Sequence, residues 1–163
     1  MASSKKQIVD TLETFRDLFD NAHDLIHIVE PEGQIIYVNK AWEKVLGYPQ
    51  HEIEGRSIYS FIHESDRMSF LDYRTSILRG VVPPSAAIIR MISKYGEIVY
   101  LEGAISTRTV EGRTLYTRGI FRNVTERLEN ESRLKSMHLQ LQERESNLHK
   151  ILYQAPDAII VVD

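Results

Sequence analysis

The chain has 163 residues, a formal net charge of −3, 42% hydrophobic residues and no cysteine. The lack of a basic excess argues against a nucleic-acid partner, and the lack of cysteine excludes disulfides, thiolate metal sites and thiol catalysis. No segment has the length and apolarity of a membrane span, and no signal peptide opens the sequence. We therefore expect a cytoplasmic chain, without direct membrane insertion, that folds around one core of roughly 100 residues.

Residues 4–20 are predicted to form an amphipathic helix, because apolar side chains recur there at helical spacing. The stripe consists of Ile8, Leu12, Phe15, Leu18 and Phe19. Two strand-like runs follow at residues 24–30 and 34–38, separated by the turn sequence Pro31-Glu32-Gly33. This pattern predicts a β-hairpin.

A group of helical segments follows the hairpin, and most of them end at a glycine, as helices commonly do. Their predicted ranges are 40–46, 49–54, 57–62 and 67–79. Asp66 is a candidate N-cap for the last and longest helix, and Gly80 lies where that helix should end.

Three further strand-like runs, residues 85–93, 97–110 and 114–124, are separated by short turns that contain glycine. The order predicts an α+β fold: a five-stranded antiparallel sheet with a helical insertion after its second strand. The insertion can cover only one face of that sheet. Not every apolar strand residue can point toward it, so a terminal helix or a second subunit should cover the other face. The residues concerned are Ile36, Val38, Ile88, Leu101 and Leu115.

A long helix is predicted after the last strand, because neither glycine nor proline occurs between Gly119 and Pro156. Asn123 can cap its start. Apolar residues then recur at alternating spacings of three and four, which is the pattern of a two-stranded coiled-coil seam, with Arg144 as the one break. The predicted seam residues are Leu134, Met137, Leu141, Leu148 and Ile151. The alternative is a solvated helix on the surface of its own domain.

The start of the chain is repeated at its end. Residues 14–30 align with residues 147–163 at a constant offset, so that Ala22 corresponds to Ala155 and Asp24 to Asp157. A repeat of this length is typical of tandem domains. We therefore expect a fragment of a longer protein. Its predicted parts are an N-terminal helix (1–20), a domain (21–125), a connector helix (126–150) and the start of a second domain (151–163).

The order of the elements and their landmarks resembles the PAS domain family over roughly residues 15–126. The landmarks are the hairpin before Asn39, Ala41 ahead of Gly47-Tyr48, Glu52 with Gly55, the run 61–67, Arg90 with Lys94 and Gly96, and Asn123-Val124-Thr125. The tail from about Leu148 resembles the entry to a second PAS domain. Departures from the family pattern are Glu64-Ser65, Tyr95 and Asn123. The resemblance implies the PAS fold, with the sheet flanked by the N-terminal helix and the coiled-coil helix.

The resemblance also implies a sensory and dimerisation module that passes a signal to a downstream effector. In this family the effector is most often a histidine kinase or a diguanylate cyclase. The signal junction would be Asn123, Val124 and Thr125, and a homodimer would form through the N-terminal helix and the coiled coil. The alternative is a ligand-free dimerisation scaffold that only sets the geometry of an assembly.

A pocket for a small apolar ligand is expected between the sheet and the long inserted helix. The candidate lining residues are Ile58, Phe61, Met68, Leu71, Ile89 and Met91. These side chains could equally fill the core completely. His27 lies in the middle of the first strand and is predicted to be a hydrogen-bonded histidine facing either the pocket or the helix over the sheet.

No cofactor is predicted. A haem-binding relative would carry a histidine in the long inserted helix, and residues 67–79 contain none. The family's flavin photochemistry needs a cysteine, which the chain lacks; haem and non-covalent flavin remain alternatives. No metal site is predicted. No Ser-His-Asp order, glycine-rich phosphate loop or zinc spacing stands out either, so we expect no catalytic site.

Overall fold

The computed structural model of the chain describes residues 13–81 and 86–154. Its strands are β1 (Leu25–Val29), β2 (Ile35–Val38), β3 (Ala87–Ile92), β4 (Ile98–Val110) and β5 (Arg113–Asn123). Its helices are α1 (residues 13–20), α2 (Lys40–Leu46), α3 (Gln50–Ile53), α4 (Arg67–Leu78) and α5 (Thr125–Gln154), with 3-10 turns at Ile58–Phe61 and Glu64–Asp66. The predicted helical residues 4–12 and the predicted second-domain residues 155–163 lie outside the described residues.

The five strands form one antiparallel sheet in the order β2-β1-β5-β4-β3. The helical insertion follows the second strand and packs on one face of the sheet. The predicted α+β fold is therefore confirmed. The last strand in the sequence, β5, lies at the centre of the sheet between β1 and β4, and it leads directly into α5.

Side chains alternate between the two faces of the sheet, as the pleat requires. On β1, Leu25, His27 and Val29 point into the core, opposite Phe121, Gly119 and Thr117 of β5. Trp42 of α2 and Phe70 of α4 belong to the same buried cluster, and Phe61 meets Trp42 edge-on. All of these side chains are almost completely buried, and Gly119, which has no side chain, is buried as well, so the core lies between the sheet and the insertion.

Loop residues cover both outer edges of the sheet, which blunts the unpaired edges that would otherwise recruit other chains. Beside β2, the Ile35 N–H donates to the carbonyl of Arg56 at 2.9 Å, and the Gly55 N–H donates to the carbonyl of Ile35 at 2.8 Å. Beside β3, the His63 N–H donates to the carbonyl of Arg90 at 2.9 Å.

Asp66 occupies the predicted N-cap position of α4, but its side chain does not cap the helix. Its carboxylate instead accepts from the Arg90 backbone N–H at 2.9 Å and from the Arg90 guanidinium. The guanidinium binds both carboxylate oxygens, and this bidentate pairing of opposite charges is stronger than the single bond to a backbone N–H that a cap would provide. This hydrogen bonding to Arg90 also lowers the pKa of the Asp66 carboxyl below its usual value.

The outer face of the sheet keeps several exposed isoleucines in the described part of the chain. Val38 and Leu101 face the core, whereas Ile88 is half exposed, as is Ile120. Ile36 and Leu115 are also close to half exposed. The prediction that the strands carry too many apolar residues for one face agrees with this distribution.

The long helix α5 is continuous from Thr125 to Gln154. The chain divides into two compact units at this point, with Thr125 ending the first and Glu126 starting the second. Among the helices of residues 13–81 and 86–154, none is long and apolar enough to cross a membrane. Residues 151–154, predicted to start a second domain, form the last turn of α5.

Candidate functional site

The junction between β5 and α5 is held by hydrogen bonds to a single residue of the neighbouring strand, Tyr100 of β4. The Val124 N–H donates to the Tyr100 carbonyl at 2.9 Å, and the Tyr100 N–H donates to the Thr125 hydroxyl at 2.9 Å. Val124 is buried and extends the β5–β4 pairing by one residue. The first residue of α5 is therefore fixed to β4 as well as to β5.

Asn123 completes the junction. Its side-chain oxygen accepts from the N–H of Thr125, the first helical residue, at 3.0 Å. This is a local capping bond that satisfies one of the amides left unpaired at the start of a helix. The three predicted junction residues are thus brought together, each with a distinct contact.

The end of α1 is tied to the first hairpin through Asn39. The buried Asn39 amide donates to the carbonyls of Phe19 and Asp24 at 2.9 and 3.0 Å and accepts from the Ile26 N–H at 3.0 Å. The Tyr37 hydroxyl also donates to Asp20 at 2.9 Å. These bonds give the Asn39 landmark a structural role, because one side chain fixes the helix end to the first hairpin.

The apolar side chains of α1 do not all contact the sheet. Phe19 packs on Tyr37 with ring centroids 5.8 Å apart, whereas Phe15 and Leu18 are about two-thirds exposed. Ile8 and Leu12 lie outside the described residues. The described part of the predicted stripe therefore offers an open apolar surface.

His27 lies at the centre of the core. Its ring stacks on Phe121 and meets Trp42 edge-on, and the ring centroids are 5.6 Å apart in both pairs. Gly119 lies directly across from it in the β1–β5 register, and a Cβ added there would be 2.2 Å from His27 Nε2. Glycine at this strand position therefore makes room for the imidazole.

Burial lowers the pKa of His27 from 6.5 to about 3, and the positive charge of Arg74 adds to the shift. The ring is therefore neutral at physiological pH. The sequence pattern predicts a hydrogen-bonded histidine at this position. The structure corrects this, since His27 Nδ1 is buried without a partner and so is Trp42 Nε1.

Arg74 is a buried residue that the sequence analysis missed. It is only 3% exposed, and its guanidinium donates to the carbonyls of Pro31 and Glu30 and to the Tyr59 hydroxyl. Arg74 lies four residues after Phe70 and three before Ile77, on the inner face of α4. This spacing places Arg74 on the same helix face as Phe70 and Ile77, and it was the signal available in the sequence. The residue ties α4 to the turn between β1 and β2.

The predicted pocket is not assembled as expected. Ile58, Phe61, Ile89 and Met91 are buried in the core cluster. Met68 is 68% exposed and Leu71 is 40% exposed, because the face of α4 that turns inward carries Phe70, Arg74 and Ile77. The structure therefore corrects the prediction for Met68 and Leu71.

A surface depression of about 420 Å³ lies between the β1–β2 turn and the β4–β5 turn. It is lined by Glu30, Pro31, Glu32, Arg113, Thr114 and Leu115. None of the predicted pocket residues contributes to it. Within residues 13–81 and 86–154, no group of three or more His, Cys, Asp or Glu side chains could hold a metal ion.

The predicted seam residues lie on α5 at the expected spacing, and each is more than half exposed. Their exposed fractions run from 54% for Met137 to 67% for Leu134, and Leu141, Leu148 and Ile151 fall between. A helix with this much apolar surface in one stripe is suited to packing against another helix.

Comparison with known proteins places these features in a family. A family model described as "PAS domain" matches residues 23–126. Sporulation kinase E of Bacillus subtilis is 27% identical over 149 residues, which cover 91% of this chain and 19% of that protein. The blue light receptor lreA of Aspergillus flavus is 29% identical over 97 residues, or 59% of this chain and 11% of that protein. The chain thus spans about a fifth or less of the length of these relatives.

The fold is also similar to that of a solved structure, the PAS domain of an HTR-like protein from Haloarcula marismortui. The TM-score is 0.63 at 22% identity, and the match covers 76% of this chain and 99% of that one. The likeness concerns the fold alone.

Proposed function

The chain belongs to the PAS domain family, and we propose that it is a cytoplasmic sensory and dimerisation module that signals through α5 to a downstream effector. The observation that carries the proposal is the junction at Tyr100. Because Val124 and Thr125 are both bonded to β4, a change in the packing of the central strands reaches the first turn of α5 directly. The module itself needs no catalytic group for this role.

The effector is proposed to be a histidine kinase or a diguanylate cyclase. The relation to a sporulation kinase over 91% of the chain supports the first of these. The exposed seam of α5 supports a homodimer, in which two copies of the helix bury their apolar stripes against each other. The exposed Phe15 and Leu18 of α1 offer a second contact between copies.

The second candidate function is a ligand-free scaffold that sets the geometry of a dimer. The burial of Ile58, Phe61, Ile89 and Met91 in the packed core favours it. Absorbance and mass spectrometry of an extract from natively purified protein would separate the two. The sensory proposal expects a bound small molecule but no haem or flavin spectrum, whereas the scaffold proposal expects no bound molecule.

Dimerisation is tested by light scattering of the 163-residue chain across a micromolar concentration range. We expect a dimer, and Leu141→Asp should shift it toward monomer, because an unpaired charge would then lie in the middle of the seam. Each leucine buried against its mate contributes roughly 1.5–3 kcal/mol. A loss of about 1.4 kcal/mol lowers an affinity tenfold, so losing one layer should lower the affinity at least tenfold.

Leu139→Asp is the matched control. Leu139 lies on the same helix, is also more than half exposed, and falls outside the seam. It should leave the dimer intact. A wild-type chain that stays monomeric, or equal effects of the two substitutions, would refute dimerisation through the seam.

A further inference from the structure

The depression at the end of the sheet lies where β5 extends beyond the end of β1. The pairing between the two strands ends at Val29 and Thr117, whereas β5 itself begins at Arg113. Thr117 faces the core and is almost completely buried, and side chains two residues apart on a strand share a face. Leu115 and Arg113 therefore continue the core-facing row of β5 past the last residue of β1, and both line the depression.

The opposite wall of the depression is the β1–β2 turn, which contributes Glu30, Pro31 and Glu32. The buried Arg74 holds this turn, because its guanidinium donates to the Pro31 carbonyl at 2.9 Å and to the Glu30 carbonyl. The Glu30 N–H also donates to the Gln34 carbonyl at 2.8 Å. The backbone of this wall is therefore fixed before any ligand arrives, which lowers the cost of ordering it on binding.

The backbone next to Arg113 is fixed as well. Glu111 and Gly112 form the two-residue turn between β4 and β5, with φ angles of 50° and 77°, and Val110 pairs with Arg113 across that turn. Positive φ at both central residues is the geometry of a tight hairpin that matches the twist of its strands. The depression thus lies between two turns whose backbone conformations are set by the fold.

The charged side chains of the depression have opposite signs on its two walls. Glu30 and Glu32 are exposed carboxylates on the β1–β2 turn, and Arg113 is an exposed guanidinium on β5. Within residues 13–81 and 86–154, none of the three takes part in an ion pair. A simple anion would be repelled by the carboxylates, and a simple cation by the guanidinium. The arrangement favours a molecule that carries both charges.

The rest of the lining and the volume restrict such a molecule further. Pro31 and the half-exposed Leu115 offer apolar surface between the charged groups. The volume of about 420 Å³ lies toward the lower end of the range that small-molecule sites occupy. None of the lining residues belongs to the buried core cluster, so the depression is separate from the packed space between the sheet and the insertion.

We propose that this depression binds a small zwitterion with an apolar body, of the class of free α-amino acids with aliphatic side chains. The ammonium group lies against Glu30 and Glu32, the carboxylate pairs with Arg113, and the side chain covers Leu115. A ligand held in this way joins the start of β5 to the β1–β2 turn. That β5 then carries the effect to α5 rests on the proposed function, whereas binding itself does not.

The test is an NMR titration of the full 163-residue chain with L-leucine, followed at the backbone amides of Glu32 and Leu115. Two controls share most of the apolar body of leucine: isocaproate lacks the ammonium group, and isoamylamine lacks the carboxylate. We expect saturable shifts with leucine and an affinity at least about tenfold weaker for each control, because each loses one charge-assisted contact.

Variants assign the two charges to their walls. Arg113→Gln should weaken leucine binding at least about tenfold and leave the weak binding of isoamylamine unchanged. The double variant Glu30→Gln/Glu32→Gln should also weaken leucine binding. Arg108→Gln is the matched control, because Arg108 is an exposed arginine of β4 that does not line the depression, and it should bind leucine as the wild type does. The comparison of ligands uses the unmodified chain and needs no variant.

Three results would overturn the site: no saturable shift with leucine, equal affinity for leucine and either control ligand, or equal leucine affinity in Arg113→Gln and wild type. The light-scattering measurement tests the proposed function separately. A dimer that does not bind leucine would keep the signalling module and remove this site. A monomer that binds leucine would keep the site and remove its proposed link to α5.

Discussion

The polar ring of His27 lies in an aromatic core. The residue opposite it on β5 is Gly119, which has no side chain and therefore leaves room for the ring. Burial disfavours the charged form of the imidazole, so the folded protein holds the ring neutral to about pH 3, whereas the unfolded chain protonates it near pH 6.5. Between these values the unfolded state binds more protons. The stability tied to His27 is therefore fully present above pH 6.5 and is lost as the pH falls toward 3.

This difference in the pKa of His27 between the folded and unfolded states predicts that the free energy of unfolding decreases in acid. Each pH unit below 6.5 should lower the free energy of unfolding by about 1.4 kcal/mol, or about 2 kcal/mol at pH 5. Urea unfolding of wild type and His27→Phe at pH 7 and pH 5 measures the effect. The variant should lose about 2 kcal/mol less than the wild type between the two pH values. If both lose the same amount, His27 does not have the depressed pKa.

Gly119 is predicted to be coupled to His27. A Cβ at Gly119 would lie 2.2 Å from His27 Nε2 and 2.9 Å from Phe121, so Gly119→Ala should destabilise the fold by roughly 1–3 kcal/mol. In a His27→Ala background the same change should cost much less, because the obstructing ring is gone. Urea unfolding of the wild type, the two single variants and the double variant gives the coupling free energy between Gly119 and His27.

Gly103 is the control for this cycle. A Cβ there would lie 2.0 Å from the backbone oxygen of Ile120, which His27→Ala does not move. Gly103→Ala should therefore be equally destabilising in both backgrounds. Equal costs of Gly119→Ala with and without His27 would show that the ring does not explain the glycine.

At the scale of the elements, the junction between β5 and α5 depends on the Thr125 hydroxyl. Thr125→Val keeps the shape of the side chain but removes the acceptor for the Tyr100 N–H. We expect a loss of about 1 kcal/mol in stability and faster hydrogen exchange of the Tyr100 amide and of the first turn of α5. Thr125→Ser retains a hydroxyl and should restore both. Unchanged exchange in Thr125→Val would mean that the bond does not hold the helix.

The elements themselves were largely predictable from the sequence. Turn glycines and alternating apolar residues located the five strands, and Gly47, in the left-handed conformation at the end of α2, marked a helix boundary. Which face of α4 packs against the core was not predictable from the composition of the helix. Met68 and Leu71 looked suitable for a pocket, whereas the inner face turned out to include the cationic Arg74.

The reason lies in contacts distant along the chain. Arg74 is stabilised by carbonyls of the β1–β2 turn, more than 40 residues earlier. Asp66 was predicted to cap its helix, but it binds Arg90 on the edge strand instead. In the same way, the missing partners of His27 and Trp42 depend on how two separate elements meet. Local propensity identifies elements, but it cannot choose among tertiary partners for a polar side chain.

At the scale of the whole molecule, a sheet whose inner face is packed continues directly into a helix whose apolar stripe is exposed. In the proposed mechanism the packing of the strands would change in the domain, and a pair of α5 helices would transmit that change. A coiled coil with Arg144 in its seam is weaker than one with leucine throughout, and a marginal coil responds to small shifts at its start.

The central claim, that two copies pair through α5 in parallel, is tested most directly by pulsed EPR. The chain has no cysteine, so Ser136→Cys and Lys150→Cys each introduce one labelling site. A parallel, in-register pair predicts one short inter-label distance at each site, since the two helix axes lie about 8–10 Å apart. An antiparallel pair could bring the labels close at no more than one of the two sites, and a monomer would show no dipolar coupling. Short distances at both sites support the account, whereas either of the other results would contradict it.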